Sequence, residues 1–343
     1  MKLLLLQDFL RSGGTERQSV LLANAFAAAG HATTLLTFRP GGALAPTVAA
    51  GVRRVVLQPF DTGLDWFAPG LRRRVRAIAP DLIVCMGRMA NCHGWRLTDL
   101  APVLATMRTG KPLPSWFRRT LREAIHIVAN SHDARRTLIE GQGLAGERIT
   151  VIHNSLVFPA VAPAATTQTI RAATRTRFGA DPDTAVLLCV AMFRPEKNQR
   201  ELIEIAAGLP TEVDWQLWLA GDGPARTACE ALVRARGLAD RVRFPGFQRD
   251  PSTLYAAADV AVHASWSEAL SNFLIEAQAH GLPAVAYQAQ GIEECFVPGR
   301  TGWAIPRDDR AAFRSSLLSL LRLEPADRAS RANAARELRP PDL

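Results

Sequence analysis

Two carboxylates eight positions apart, Glu268 and Glu276, stand in the segment SWSEALSNFLIEAQAHGLPAVA. Eight residues at about 3.6 per turn make a little over two helical turns, so both can project to one side. Glu268 precedes the expected helix and Glu276 lies inside it. Between them Ser271 and Asn272 are good helix-capping types. The N–H groups from Leu270 to Phe273 would then face an anion at the helix start. One carboxylate accepting from ribose hydroxyls, the other from sugar hydroxyls, and a helix start holding a diphosphate would suit a sugar nucleotide.

A second segment, VAMFRPEKNQ, follows an expected strand and puts Arg194 and Lys197 just past its carboxyl end. Ligands of α/β proteins bind at that end of the strands, and two cations there can neutralise a diphosphate leaving group. The bland alternative is an exposed basic loop. A third segment, QDFLRSGGTERQ, follows the first strand, and its Gly13 and Gly14 allow a close backbone approach before a helix. It is not a G-x-G-x-x-G dinucleotide motif, and no acidic residue closes the second strand in the way that motif requires. Read alone, it fits a structural tight turn as well as a ligand loop.

These segments need elements to hold them. Short β-type runs alternate with Ala- and Leu-rich helical stretches, the pattern of βαβ units on a parallel sheet. Expected strands in the first half are Leu3–Leu6, Thr33–Phe38, Arg54–Leu57, Leu82–Cys85, Val103–Thr106, Ile125–Ala129 and Ile149–Ile152. A Pro/Ala/Thr-rich stretch, FPAVAPAATTQ over 158–168, breaks the pattern and reads as a linker. The alternation then restarts with Ala185–Val190, Gln216–Ala220, Val242–Phe244, Val260–His263 and Ala284–Ala286 as strands. The 343 residues exceed one ordinary core. The expected division is a first domain over 1–160, a linker over 161–180, a second domain over 181–322 and a tail over 323–343. Two successive α/β domains imply a cleft between them, a usual place for a small-molecule site.

Composition narrows the partners. With 48% hydrophobic and 21% charged residues, the chain is a folding globular one, and no apolar run approaches the ~20 residues that cross a bilayer. The opening MKLLLLQDFL reads as a buried first strand rather than a secretory signal. Five scattered cysteines without metal-binding spacing point to reduced thiols in a cytoplasm. The net charge of +9 is lopsided: residues 1–165 carry +10 and the rest −1. Arginine clusters at 72–76 and 118–122 read either as solvated helix faces or as a surface for anionic headgroups or a phosphorylated acceptor. The clusters lack interleaved aromatics and the chain lacks a nucleic-acid motif, so no nucleic-acid partner is expected.

The chain resembles the retaining GT-B glycosyltransferases of the group-1, family-4 type. The resemblance runs from GGTERQ through ANSHDARRTL and ITVIHNS to RPEKN, LAGDGP, RVRFPGF, LYAAADVAVHAS, the two glutamates, GLPAVA and GRTGWAI. It implies two Rossmann-like domains with parallel sheets facing across a cleft. The first would bind the acceptor and the second a UDP- or GDP-linked sugar. It implies Glu268 on the transferred sugar, Glu276 on the ribose, and Arg194 and Lys197 on the diphosphate. Gly13 and Gly14 would approach the phosphates from the other domain, and the base would lie near Arg243–Phe247. No metal or other cofactor is implied.

The acceptor would be an envelope glycan or a polyprenyl- or other lipid-linked glycan, met in the cytoplasm or at the inner face of its membrane. Three departures stand out. Ala269 replaces a frequent Gly after the first glutamate, so it must avoid a glycine-only conformation. Met192 stands where an Arg is frequent, so Arg194 must serve. TMRTG supplies Arg108 where many members have His, with Arg88, His93 and His132 as further acceptor-side candidates. A nucleotide-sugar 2-epimerase and a non-catalytic partner protein are the alternatives.

Overall fold

The structure is a computed structural model and describes residues 1–154, 156 and 164–337. The chain divides into two units, Met1–Ser155 and Leu156–Leu343. Residues 155 and 157–163, which include the first three of the expected linker, and residues 338–343 of the tail lie outside the described residues.

In the first unit the chain runs β1 (Lys2–Gln7), α1 (Gly14–Ala28), β2 (Ala32–Thr37), β3 (Arg53–Val56), α2 (Leu71–Ile78), β4 (Leu82–Cys85), α3 (Arg88–Gly94), β5 (Val103–Met107), α4 (Ser115–Glu123), β6 (His126–Ala129), α5 (His132–Gln142) and β7 (Ile149–Val151). All seven strands are parallel, in the order β3-β2-β1-β4-β5-β6-β7. A sheet covered on both faces needs continuous apolar strands rather than alternating ones. Leu3 to Leu6 meet that need: all four are buried, Leu4 and Leu6 in the core on one side, Leu3 and Leu5 in that on the other. Helices α2 and α4 each bury a narrow apolar stripe, Leu71 and Val75 or Phe117 and Leu121, in the same core. Their arginines are left largely outward, as an amphipathic surface helix requires. Helix α5 starts where the Ser131 hydroxyl accepts from Ala134 N–H and stops at Gly143, whose φ of 64° suits glycine.

The second unit runs α6 (Ala164–Phe178), β8 (Ala185–Val190), α7 (Gln199–Ala207), β9 (Trp215–Ala220), α8 (Arg226–Ala235), β10 (Val242–Gly246), α9 (Ser252–Ala257), β11 (Val260–His263), α10 (Asn272–Ala279), β12 (Ala284–Tyr287), β13 (Gly302–Ile305), α11 (Arg310–Leu321) and α12 (Pro325–Glu337). Its six strands are also parallel, in the order β10-β9-β8-β11-β12-β13. The two α/β units with parallel sheets are those the alternating pattern predicted.

One segment departs from expectation. The described part of the 161–180 linker is largely helix α6, which packs on α9. Arg171 and Arg175 each reach an oxygen of Asp259 at 2.6 Å, and Arg175 also donates to the Ala257, Asp181, Pro182 and Thr184 carbonyls. The tail forms α12, which docks on α10 of its own unit. Arg331 there donates to the Arg300 carbonyl at 2.8 Å and lies over the Trp303 ring. No helix among the described residues is long and apolar enough to cross a membrane. All five cysteines are buried and free, and burial pushes the Cys85 thiol up to about 12.

Candidate functional site

In a parallel sheet the strand order reverses at one place, and there the loops leaving two neighbouring strands diverge to opposite faces and open a crevice. In the second unit that place lies between β8 and β11. The loop after β8 carries Arg194 and Lys197, and the loop after β11 carries Glu268. The three residues that the sequence assigned to leaving group and sugar therefore leave the two strands at the switch point.

Local geometry fixes both loops. Arg194 is extended and leads into a single 3-10 turn, Pro195–Lys197, and Asn198 then turns left-handed at φ 52° into α7. Asparagine tolerates that conformation better than most residues. Gly221 and Gly223, the glycines of LAGDGP, lie directly beneath this loop. A Cβ on Gly221 would stand 2.0 Å from the Ala191 carbonyl oxygen, and one on Gly223 would stand 2.4 Å from that of Phe193. The two loops are joined, since the Ser265 hydroxyl and the Trp266 N–H both donate to the Glu196 carbonyl, at 2.9 and 3.1 Å. Gly291, at φ 68°, passes so close that its Cβ would lie 2.1 Å from the Ala269 carbonyl oxygen. Ala269 is not among the positive-φ residues, so its replacement of glycine costs no backbone strain.

Glu268 is buried, and one of its oxygens, Oε1, takes both the Lys197 ammonium and a hydrogen bond from His263 Nε2 at 2.9 Å. Burial alone would raise its pKa. The Lys197 charge and the His263 bond outweigh burial and hold the carboxyl down at about 2. The group is thus a fixed anion, an acceptor for hydroxyls rather than a proton donor. Arg194 is half-buried and has no carboxylate partner among the described residues. Glu276 lies in α10 and accepts from the Tyr255 hydroxyl at 2.6 Å.

The helix start is partly self-satisfied: the Ser271 side chain caps α10 by accepting from Leu274 N–H, one residue beyond the N–H groups assigned to an anion. Leu270 and Phe273 are buried beside it, Asn272 is half-buried, and Phe247 stands exposed just past β10. His263 and Tyr255 complete the constellation and escaped the sequence reading. His263 could have been found as the last residue of an apolar strand, five residues before Glu268.

In the first unit the order reverses between β1 and β4. Gly13 is the residue before α1, and Glu16 folds back so that its carboxylate lies 2.4 Å from where a Gly13 Cβ would be. Gly14 is the first and exposed residue of α1. Asp8, which the sequence reading also missed, is buried against Gly87 with Oδ1 unpartnered, and Oδ2 accepts weakly from Met89 N–H at 3.4 Å. Burial, and then the nearby Glu16 charge, push its carboxyl up to about 7.

The acceptor-side candidates separate. Arg88 opens α3 three residues past β4, and Arg108 directly follows β5. His93 is buried with its Nε2 on the Trp66 carbonyl at 2.9 Å, so it braces the 57–70 loop, and burial lowers its pKa. His132 is exposed at the start of α5, its ring 5.6 Å from that of His153.

Residues 171–338 match the family described as Glycosyl transferases group 1, and residues 12–156 match Glycosyltransferase Family 4. The chain is 30% identical over 251 residues to an alpha-D-kanosaminyltransferase of Streptomyces kanamyceticus, covering 71% of this chain and 62% of that protein. More than a third of that relative's length is therefore unmatched. A lipopolysaccharide core biosynthesis glycosyltransferase of Rhizobium meliloti is 26% identical over 317 residues, covering 90% and 86% of the two chains. The Anabaena HepE structure in complex with UDP-glucose superposes with a TM-score of 0.83 at 22% identity, over 98% of this chain and 93% of that one. At that identity the likeness shows the shared GT-B fold.

Proposed function

We propose that this chain, which belongs to the group 1 glycosyltransferases and carries a family 4 amino-terminal half, moves a sugar from a nucleoside-diphosphate donor to a hydroxyl of an envelope glycan or lipid-linked acceptor. The carrying observation is the buried Lys197–Glu268–His263 cluster at the switch point of the second sheet; the Lys197 loop also holds Arg194, which has no carboxylate partner among the described residues.

The bond that breaks joins the sugar's anomeric carbon to the diphosphate. Charge grows on the leaving phosphates as it does so, and fixed cations aimed at that charge lower the barrier. Arg194 and Lys197 are the cations, and they make a metal unnecessary. Glu268, ionised throughout the working pH range, accepts from hydroxyls of the transferred sugar. Glu276 holds the ribose, with Tyr255 orienting its carboxylate. The acceptor hydroxyl attacks on the face the diphosphate leaves, passing its proton to the departing phosphate oxygen, so configuration is retained. The base, uracil or guanine, lies near Phe247.

Contact with an anionic membrane surface fits the first unit. Trp116 and Ile125 are exposed beside Arg118, Arg119 and Arg122 in and after α4. The working location is then the cytoplasm and the inner face of its membrane.

The test is calorimetric binding of UDP, GDP and ADP, followed by donor-dependent nucleotide release with membrane-glycan extract as acceptor. The expected result is selective binding of UDP or GDP, weakened at least tenfold in Glu276→Ala. Release should be insensitive to chelator and abolished in Glu268→Ala. Binding of none of the three nucleotides, with no release from any donor, would sink the reading.

A further inference from the structure

Four neighbouring parallel strands of the first unit, β4, β5, β6 and β7, end on the same edge of the sheet. Within three residues past each end stands a polar side chain: Arg88, Arg108, Asn130 and Asn154. Arg108 donates to the Asn154 side-chain oxygen, and Arg88 donates to the Pro112 carbonyl at 2.8 Å, so both are tied to fixed points beside the loop that follows β5. Among the described residues, the buried Nε of each arginine has no hydrogen-bond partner, nor has the side-chain oxygen of Asn130, itself buried.

Several arginines of this unit have a carboxylate partner, while others lie exposed in water. Arg11 and Arg39 pair with Asp65, Arg39 also with Asp61, Arg72 with Asp99 and Arg119 with Glu123. Among the described residues no carboxylate pairs with Arg88 or Arg108. The Nε of each is withdrawn from water while the side chain as a whole stays half-exposed, so an added anion can reach the guanidinium and supply the missing counter-charge. Burial with nothing to offset it lowers Arg108 to about 10, which agrees with that geometry.

We infer that this edge binds an acceptor through a compact anionic group, a phosphate monoester or a carboxylate, held by Arg108 and Arg88. The guanidinium fork matches the paired oxygens of either group. The Asn130 oxygen at the next strand end accepts from a hydroxyl of the same molecule. The inference rests on the reading of the chain as a glycosyltransferase and narrows its acceptor to an anionic one.

The test is calorimetry on the full chain with the donor site filled by saturating UDP, or by GDP if that binds instead. The probes are sn-glycerol 3-phosphate, L-malate and farnesyl phosphate, with glycerol as the neutral control. These arms separate a free phosphate, a carboxylate and a lipid-linked phosphate. The expected result is that at least one anion binds and glycerol does not. Arg108→Gln and Arg88→Gln should each weaken that anion at least tenfold, with Arg108→Lys retaining part of the affinity, and thermal melts would verify that the variants fold. A wild-type chain that binds nucleotide but none of the anions overturns the inference and leaves the donor reading standing. Equal anion affinity in wild type and in both folded glutamine variants overturns it as well. A chain that binds no nucleotide overturns the donor reading instead.

Discussion

Glu268 depends on Lys197 for its ionised state. Burial opposes an ionised Glu268, and the ammonium and His263 reverse that preference. Wild-type turnover should therefore show no acid limb from Glu268 above about pH 4. In Lys197→Ala the limb should move up by a unit or more while turnover falls at least a hundredfold, because a leaving-group cation is lost as well. A pH–rate profile of the two proteins checks both statements, and an unmoved limb would mean that His263 alone holds the carboxylate. Asp8 has the opposite sense. Its folded pKa of about 7 lies above the ordinary value of 3.8, so the unfolded chain loses this proton first as pH rises. Its contribution to stability is whole below about pH 4, falls through the interval to about 7 and is flat above; three units correspond to roughly 4 kcal/mol. Asp8→Asn should remove that slope, seen as a gain in melting temperature at pH 8 and little change at pH 4. A wild-type melting temperature that rises from pH 5 to 7, with the same rise in Asp8→Asn, would contradict the assignment.

The elements were legible to the extent that burial on two faces writes itself as apolar runs. Leu3–Leu6 and Ala185–Val190 could hardly be anything but central strands, whereas the close approach of the LAGDGP glycines to Ala191 and Phe193 was not read from the sequence. Glu268 and Lys197 were singled out because their types and their places after strands were both in view. Helix α6 was not legible, because AATTQTIRAATRTRF has a weak apolar stripe and its attachment is polar. Arg175 is buried and spends its donors on Asp259 and four carbonyls, contacts that no periodicity records. Strand β13 was missed because GWAI is short and follows a turn-rich segment. Asp8 and His263 were missed because a single polar residue at a strand end has no partner in the sequence. If α6 is held as described, Arg175→Ala leaves Asp259 partly unpaired in the interior. It should then cost roughly 3–5 kcal/mol and lower the melting temperature by on the order of 10 °C. Calorimetry checks this, and a loss under about 1 kcal/mol would show that α6 is held by its apolar contacts instead.

At the scale of the whole molecule the charge is divided as unevenly as the chemistry. Residues 1–165 carry +10 and the remainder −1, so any field that draws the protein to an anionic surface comes from the first half. Within that half, α2 and α4 pack their apolar stripes into the same core and so lie on the same face of the sheet. Arg73, Arg74, Arg76, Arg118 and Arg122 are exposed on them. Trp116, at the start of α4, and Ile125, just after it, are also exposed, and an apolar group beside a row of cations suits the boundary between headgroups and acyl chains. Each arginine near such a surface contributes about 1 kcal/mol, and salt screens the attraction over about 10 Å at 0.1 M. Binding to phosphatidylglycerol vesicles should therefore fall steeply between 0.1 and 0.5 M salt and be absent on phosphatidylcholine. Arg118→Gln with Arg122→Gln should weaken it about thirtyfold, and Trp116→Ala should weaken it without changing the salt slope. Sedimentation with vesicles reads all three. Equal binding to neutral vesicles, or a double variant that sediments like wild type, would assign these arginines to solvent and leave the acceptor to be met away from the membrane.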